Sequence, residues 1–145
     1  WAFAVIQDKA LLKRLSNTTK TLVREEAKTQ DPARAKHMLE IVNQPDFNVF
    51  YNAGTLIVIY GKFAGPFVAA DCWLAAENLL LAARSMGLGS CVIGFAVPGL
   101  NTPESKRELG IPAEYMAYAP IIVGVPSGDT PAVPRKKPDI AVWKS

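Results

Sequence analysis

The groups best placed for chemistry in this chain are backbone amides rather than catalytic side chains. Cys91-Val92-Ile93-Gly94 sets a thiol, two β-branched residues and a glycine in a row. A glycine closing a short apolar run lets a ligand approach the backbone and take a hydrogen bond from its amide. An apolar wall with such a donor suits a flat heteroaromatic molecule, although an ordinary helix-to-strand connection has the same pattern. Arg135 and Lys137 form a second candidate pair. Two apart on an extended chain, they project to one side, where two cations could meet a phosphate, while Lys136 points away. A solvated basic arm is the competing reading.

No side chain stands out as nucleophile, acid–base partner or metal ligand. His37, the single histidine, lies among Arg34, Lys36 and Glu40 and reads as a solvated helix residue. Cys91 reads as a buried, inert thiol that packs against a ligand or the core. Cys72 and Cys91 form no Cys-x-x-Cys pair and lack the density of a secreted disulfide scaffold, so a reducing cytoplasm is expected.

The elements that must position these groups can be read in order. Trp1 to Gln7 reads as a buried strand, and Asp8 as the N-cap of a helix over Lys9 to Leu15. Ser16 to Gln30, rich in charges and threonines, gives a weakly amphipathic helix or a loop. Asp31-Pro32 opens a helix on which Ala35, Met38, Leu39 and Val42 recur until Gln44-Pro45 stops it. Thr55 to Tyr60 is a β-branched run expected to be a central strand covered on both faces. Phe67 to Met86 is the longest helix, with almost no polar face, and is expected to be buried nearly all round. Asp71, Glu77 and Arg84 interrupt it, which argues against a membrane span and for a central or subunit-interface helix. Gly87 ends the helix, and the strand Ser90 to Ile93 follows, closed by Gly94. Asn101-Thr102-Pro103-Glu104 caps a short helix ending at Leu109-Gly110, and Met116 to Val125 is the last strand. Prolines recur from Pro126 to Pro138, predicting an extended arm over 126–145.

The 145 residues amount to one domain, 1–145, able to bury a real core, with no internal repeat. Half the residues are hydrophobic and 20% are charged, which excludes a disordered chain and points to an oligomer through surplus apolar surface. A net charge of +3, with no basic stripe interleaved with aromatics, argues against nucleic-acid binding. Trp1 opens within a strand-like run with no signal peptide, so the chain is expected to lack its natural N-terminus.

Asn78 to Gly94, then Leu109-Gly110-Ile111-Pro112, then Ala119-Pro120-Ile121-Ile122-Val123-Gly124, resemble in order and spacing the C-terminal two-thirds of the FMN-dependent nitroreductase family. Trp1 is similar to the tryptophan that follows the family's Asn-x-Gln-Pro motif, and Arg135-Lys136-Lys137 to its basic C-terminal segment. The resemblance implies an α+β fold of three layers, α/β/α, with a mixed, mainly antiparallel sheet and a long central helix at a homodimer interface. It implies FMN as cofactor, with Cys91, Val92, Ile93 and Gly94 against the flavin and Arg135 and Lys137 on its phosphate. The implied activity is ping-pong oxidoreduction, in which NAD(P)H is the donor and a nitroaromatic, quinone or similar small molecule the acceptor. Two departures bear on this. The family's N-terminal Arg-x-Ser-x-Arg segment has no counterpart here, which leaves a flavin-free interaction or storage module as an alternative. A flavoenzyme of another reaction, such as a dehalogenase or dehydrogenase, is a further one. Only Gly61 to Pro66 stands where many members insert a helical excursion, so Phe63 and Phe67 either line an open pocket or pack ordinarily.

Overall fold

The structure, a computed structural model, describes residues 1–128 and 131–144, with residues 33 and 34 described in their backbone only. Residues 129, 130 and 145 of the expected arm lie outside the described residues.

Four strands make one sheet: β1 (Ala2–Ile6), β2 (Thr55–Gly61), β3 (Gly89–Val92) and β4 (Met116–Gly124), in the order β1-β2-β4-β3. All three pairings are antiparallel, where a mixed, mainly antiparallel sheet was expected. The β-branched run of β2 is central, with Leu56, Val58, Ile59 and Tyr60 fully buried. β1 is an edge strand instead of a buried one. Ile6 enters the core, while Phe3 and Val5 stay exposed because no helix among the described residues covers that side of the edge.

Helices cover both faces. On one face α1 (Lys9–Ala27) and the short α4 (Val97–Leu100) enclose a core built from Leu12, Leu15, Phe50, Leu56, Tyr60 and Leu100. On the other, α3 (Val68–Ser85) packs Val68, Cys72 and Ala76 against Ile59, Ala119 and Ile121. The remaining helices are α2 (Pro32–Val42), packed on α1, and α5 (Pro103–Leu109).

α1 begins on Asp8, whose carboxylate accepts from the Ala10 and Leu11 amides, as its N-cap position requires. It runs past Leu15 to Ala27 as a single helix, and its buried stripe of Leu12, Leu15, Ser16, Thr19, Val23 and Ala27 includes two hydroxyls. Thr19 donates to the Leu15 carbonyl at 3.0 Å, and the Ser16 hydroxyl accepts from the Val49 amide at 3.0 Å. Hydroxyls satisfied in this way can be buried, which is why a polar-looking stretch forms a core-facing helix.

α3 is not buried all round. Val68, Cys72 and Ala76 meet the sheet and Ala83 is buried, but Leu74 and Leu81 on the opposite side are 67% and 60% exposed. No helix among the described residues is long and apolar enough to cross a membrane. Beyond β4 the described arm carries no regular secondary structure and is exposed along its length.

Candidate functional site

The end of α3 sets up the site. Gly87 adopts φ 74°, and the Leu88 amide donates back to the Ala83 carbonyl at 2.9 Å, a left-handed stop that turns the chain into β3. β3 pairs with β4 from Gly89 opposite Gly124 to Val92 opposite Ile121. The Ile93 amide then donates to the Pro120 carbonyl at 2.8 Å, and the backbone leaves the sheet at Gly94 to enter a single 3-10 turn, Gly94–Ala96.

This exit forms one wall of a groove of about 310 Å³, lined here by Cys91, Val92, Ile93, Gly94 and Phe95. The sequence-derived segment Cys91–Gly94 is therefore brought together as a continuous surface. Gly94 is exposed, a side chain placed on it would meet nothing within 4 Å, and its amide has no hydrogen-bond partner among the described residues. First amides of a helical turn lack an internal acceptor, so this donor is left for a ligand or water. Cys91 is exposed rather than buried: β3 is an edge strand, and the thiol makes a weak contact to the Val92 carbonyl at 3.6 Å. The buried thiol is Cys72, whose pKa burial pushes up.

The opposite wall is made of Ile41 at the end of α2 and of Phe47, Val49 and Tyr51 from the connection to β2. Sequence reasoning missed these residues. A row of α1 side chains spaced four apart holds this connection in place. Besides the Ser16 bond to Val49, Lys20 donates to the Phe47 carbonyl at 2.7 Å and Arg24 to the Val42 carbonyl at 3.1 Å. The three aromatic residues of Phe47-Asn48-Val49-Phe50-Tyr51, just ahead of the Asn52-Ala53-Gly54 turn, were the signal that could have found the wall.

Arg135 and Lys137 lie on the exposed arm, outside any strand, and neither lines this groove. Phe63 and Phe67 are exposed, so they are not ordinary packing residues. His37 is exposed on α2. Cys91 and Tyr51 are the only groove-lining residues that can ionise, and none of the lining residues is a carboxylate or an imidazole. The groove can hold and orient a flat molecule, but it offers no acid–base pair of its own.

Comparison with known proteins places this arrangement. A protein from Archaeoglobus fulgidus, provisionally named as an NADH dehydrogenase/NAD(P)H nitroreductase, is 28% identical over 135 residues, covering 89% of this chain. The chain spans 63% of the length of that relative. The FMN-bound nitroreductase from Bacteroides fragilis superposes with a TM-score of 0.82 at 25% identity, over 99% of this chain and 76% of that one. An iodotyrosine deiodinase bound to FMN and 3-iodo-L-tyrosine shares the fold at TM-score 0.68 and 23% identity, over 97% of this chain and 74% of that one. The nitroreductase family model matches residues 1–125. A match that runs from the edge strand β1 to the end of β4, taking in both helical layers and the wall at Cys91–Gly94, makes this chain a member of the nitroreductase family.

Proposed function

We propose that the chain belongs to an FMN-dependent oxidoreductase, with the flavin ring in the groove walled by Cys91–Gly94. The observation that carries this reading is the Gly94 amide, a donor without a partner among the described residues, on the apolar wall of an open groove of about 310 Å³. Such a site fits a flat ring with polar edges. The FMN bound by the Bacteroides fragilis relative supports the same choice of cofactor.

Bound here, FMN would supply two-electron chemistry between a reduced nicotinamide and a nitroaromatic, quinone or similar acceptor. The protein's part is placement. Val92, Ile93 and Phe95 exclude water from one side, and Gly94 offers a fixed amide dipole where electron density rises, at little reorganisation cost. The lining of the groove itself supplies no carboxylate or imidazole to move a proton. Arg135 and Lys137 serve the phosphate once the arm is laid against the bound cofactor, and a second copy docked on α3 completes the enclosure. That these two cations lie away from the groove favours the second reading, a flavin-free module on the same fold.

The discriminating experiment uses the exposed Cys91 as a reporter. Purified protein incubated with FMN and freed of excess is expected to stay yellow, with alkylation of Cys91 slowed severalfold while Cys72 stays unreactive with or without FMN. Colourless protein with an unchanged rate of Cys91 alkylation would overturn the flavin reading in favour of the flavin-free module.

A further inference from the structure

The aim of the Gly94 donor is set by contacts on both sides of it. The peptide that carries it joins Ile93 to Gly94, and a planar trans peptide points its N–H opposite to its C=O. The Ile93 carbonyl accepts from the Ala96 amide at 2.9 Å, and the Ile93 amide donates to the Pro120 carbonyl at 2.8 Å. The Gly94 carbonyl in turn accepts from the Val97 amide. The donor therefore keeps its direction only while the 3-10 turn, and α4 directly after it, keep their place on the sheet.

Asn101, just past the end of α4, holds them there. β3 stops at Val92, opposite Ile121, whereas β4 extends back to Met116, and no strand among the described residues pairs its outer edge over that stretch. The Asn101 carboxamide stands in for one. Its Oδ1 accepts from the Ala117 amide at 2.8 Å and its Nδ2 donates to the Ala117 carbonyl at 3.0 Å, the exchange that a neighbouring antiparallel strand would make. The other Nδ2 hydrogen goes to the Val97 carbonyl at 3.1 Å, so both donors and the oxygen of this side chain are used. The segment from Gly94 to Asn101 is thus a loop fastened to one strand at both ends, at Pro120 by backbone and at Ala117 by a side chain. Ile93, Ala96, Leu100 and Ala117 are buried in one core cluster beneath it.

We infer that Asn101 is a positioning residue for the flavin chemistry: it staples α4 to β4 and thereby fixes the direction of the Gly94 amide at the ring, an assignment that rests on the flavin reading above. Asn101 is not among the residues lining the groove, so it acts through Gly94. An amide aimed in advance at a ring carbonyl holds the electron-rich reduced flavin more tightly than the oxidised one. A loosened loop therefore costs the reduced state more.

The test measures the two-electron midpoint potential of bound FMN, with amide exchange of the flavin-free protein beside it. Asn101→Ala is expected to weaken reduced FMN about tenfold more than oxidised FMN, a potential about 30 mV lower. In the flavin-free variant the Ala96 and Val97 amides should exchange faster than in the parent. Asn101→Asp keeps the side chain's size and decides the question where the alanine variant does not fold. Ionised, its carboxylate faces the Val97 and Ala117 carbonyls, which push its pKa up; protonated, it regains one donor. Its potential relative to the parent at the same pH should be low at about pH 8 and recover at about pH 5. Thr102→Ala is the stability control. It removes the side-chain cap of α5 and lowers the melting temperature but leaves every Asn101 bond, so its potential should match the parent's. A parental potential in Asn101→Ala, an equal shift in Thr102→Ala, the same deficit in Asn101→Asp at both pH values, or unchanged exchange at Ala96 and Val97 would overturn the positioning role while leaving the flavin site standing. Parental protein that takes up no FMN would overturn the flavin reading itself, and the positioning role with it.

Discussion

Tyr60 lies next to the end of β2 with no exposed surface, and its hydroxyl has no hydrogen-bond partner among the described residues. A buried donor left unmade carries a desolvation penalty, so removing the oxygen should relieve it. Tyr60→Phe is expected to raise stability near neutral pH by about 1 kcal/mol, read as a higher urea midpoint with an unchanged slope. The same burial pushes the phenol from 10.0 up to about 12, which fixes the pH dependence. The stability linked to the neutral phenol is complete below pH 10.0 and falls as pH rises towards about 12, because the unfolded chain releases its proton first. At pH 11 the parent should therefore lose about 1 kcal/mol more than the variant does, relative to each protein's value at pH 7. A variant less stable than the parent at pH 7 would mean that the hydroxyl has a partner in solution.

At the scale of elements, α1 does more than fill the core. Ser16, Lys20 and Arg24, one turn apart, bond to Val49, Phe47 and Val42 and so hold the far wall of the groove. Ser16→Ala removes the acceptor of the fully buried Val49 amide, and a buried amide left unpaired costs about 1 to 3 kcal/mol. That loss should appear in thermal unfolding, accompanied by faster amide exchange at Val49 and Phe50; exchange unchanged at both would show that α1 does not clamp this segment. Much of the fold was legible in the sequence because local signals agree with it. Asp8 and Thr102 cap their helices through their side chains, Gly87 and Gly110 stop theirs in left-handed backbone, and the β-branched run of β2 is central. The second half of α1 was not, since its buried stripe uses hydroxyls whose partners lie in a distant segment. For the site the limit was the same. The wall at Cys91–Gly94 is contiguous and could be read, whereas the wall of Ile41, Phe47, Val49 and Tyr51 reaches it only through the packing of α1 and the pairing of β2, β4 and β3. The exposure of Cys91 was hidden too, because nothing local marks β3 as an edge strand.

For the whole molecule, the decisive surface is the uncovered side of α3. The helix has two apolar faces: Val68, Cys72 and Ala76 on the sheet, and Phe67, Leu74 and Leu81, seven residues apart at its outer side, left in solvent. Trp1 and Phe3 extend that patch, and with Leu74 and Leu79 they line a groove of about 450 Å³ between β1 and α3. A contiguous apolar surface of this kind is uncommon on a monomer and costs solubility unless something covers it. A second copy is the occupant that the proposed function requires, since one helix face that is apolar along its length can pack against itself around a two-fold axis. Sedimentation velocity at tens of micromolar should then give a dimer. Leu74→Glu with Leu81→Glu buries two charges in that interface and removes about 3 to 6 kcal/mol of apolar burial, enough to leave monomer at the same concentration. Neither side chain belongs to either core cluster, so the double variant should keep the helical circular dichroism and melting cooperativity of the parent. If the parent itself sediments as a monomer while its α3 side chains remain protected from solvent, the two-fold arrangement fails and another segment must cover the helix. If the variant stays dimeric, the interface lies elsewhere on the molecule. A true interface on α3 also makes the monomeric variant hold FMN more weakly than the parent at the same concentration, because the enclosure supplied by the second copy is lost together with the dimer.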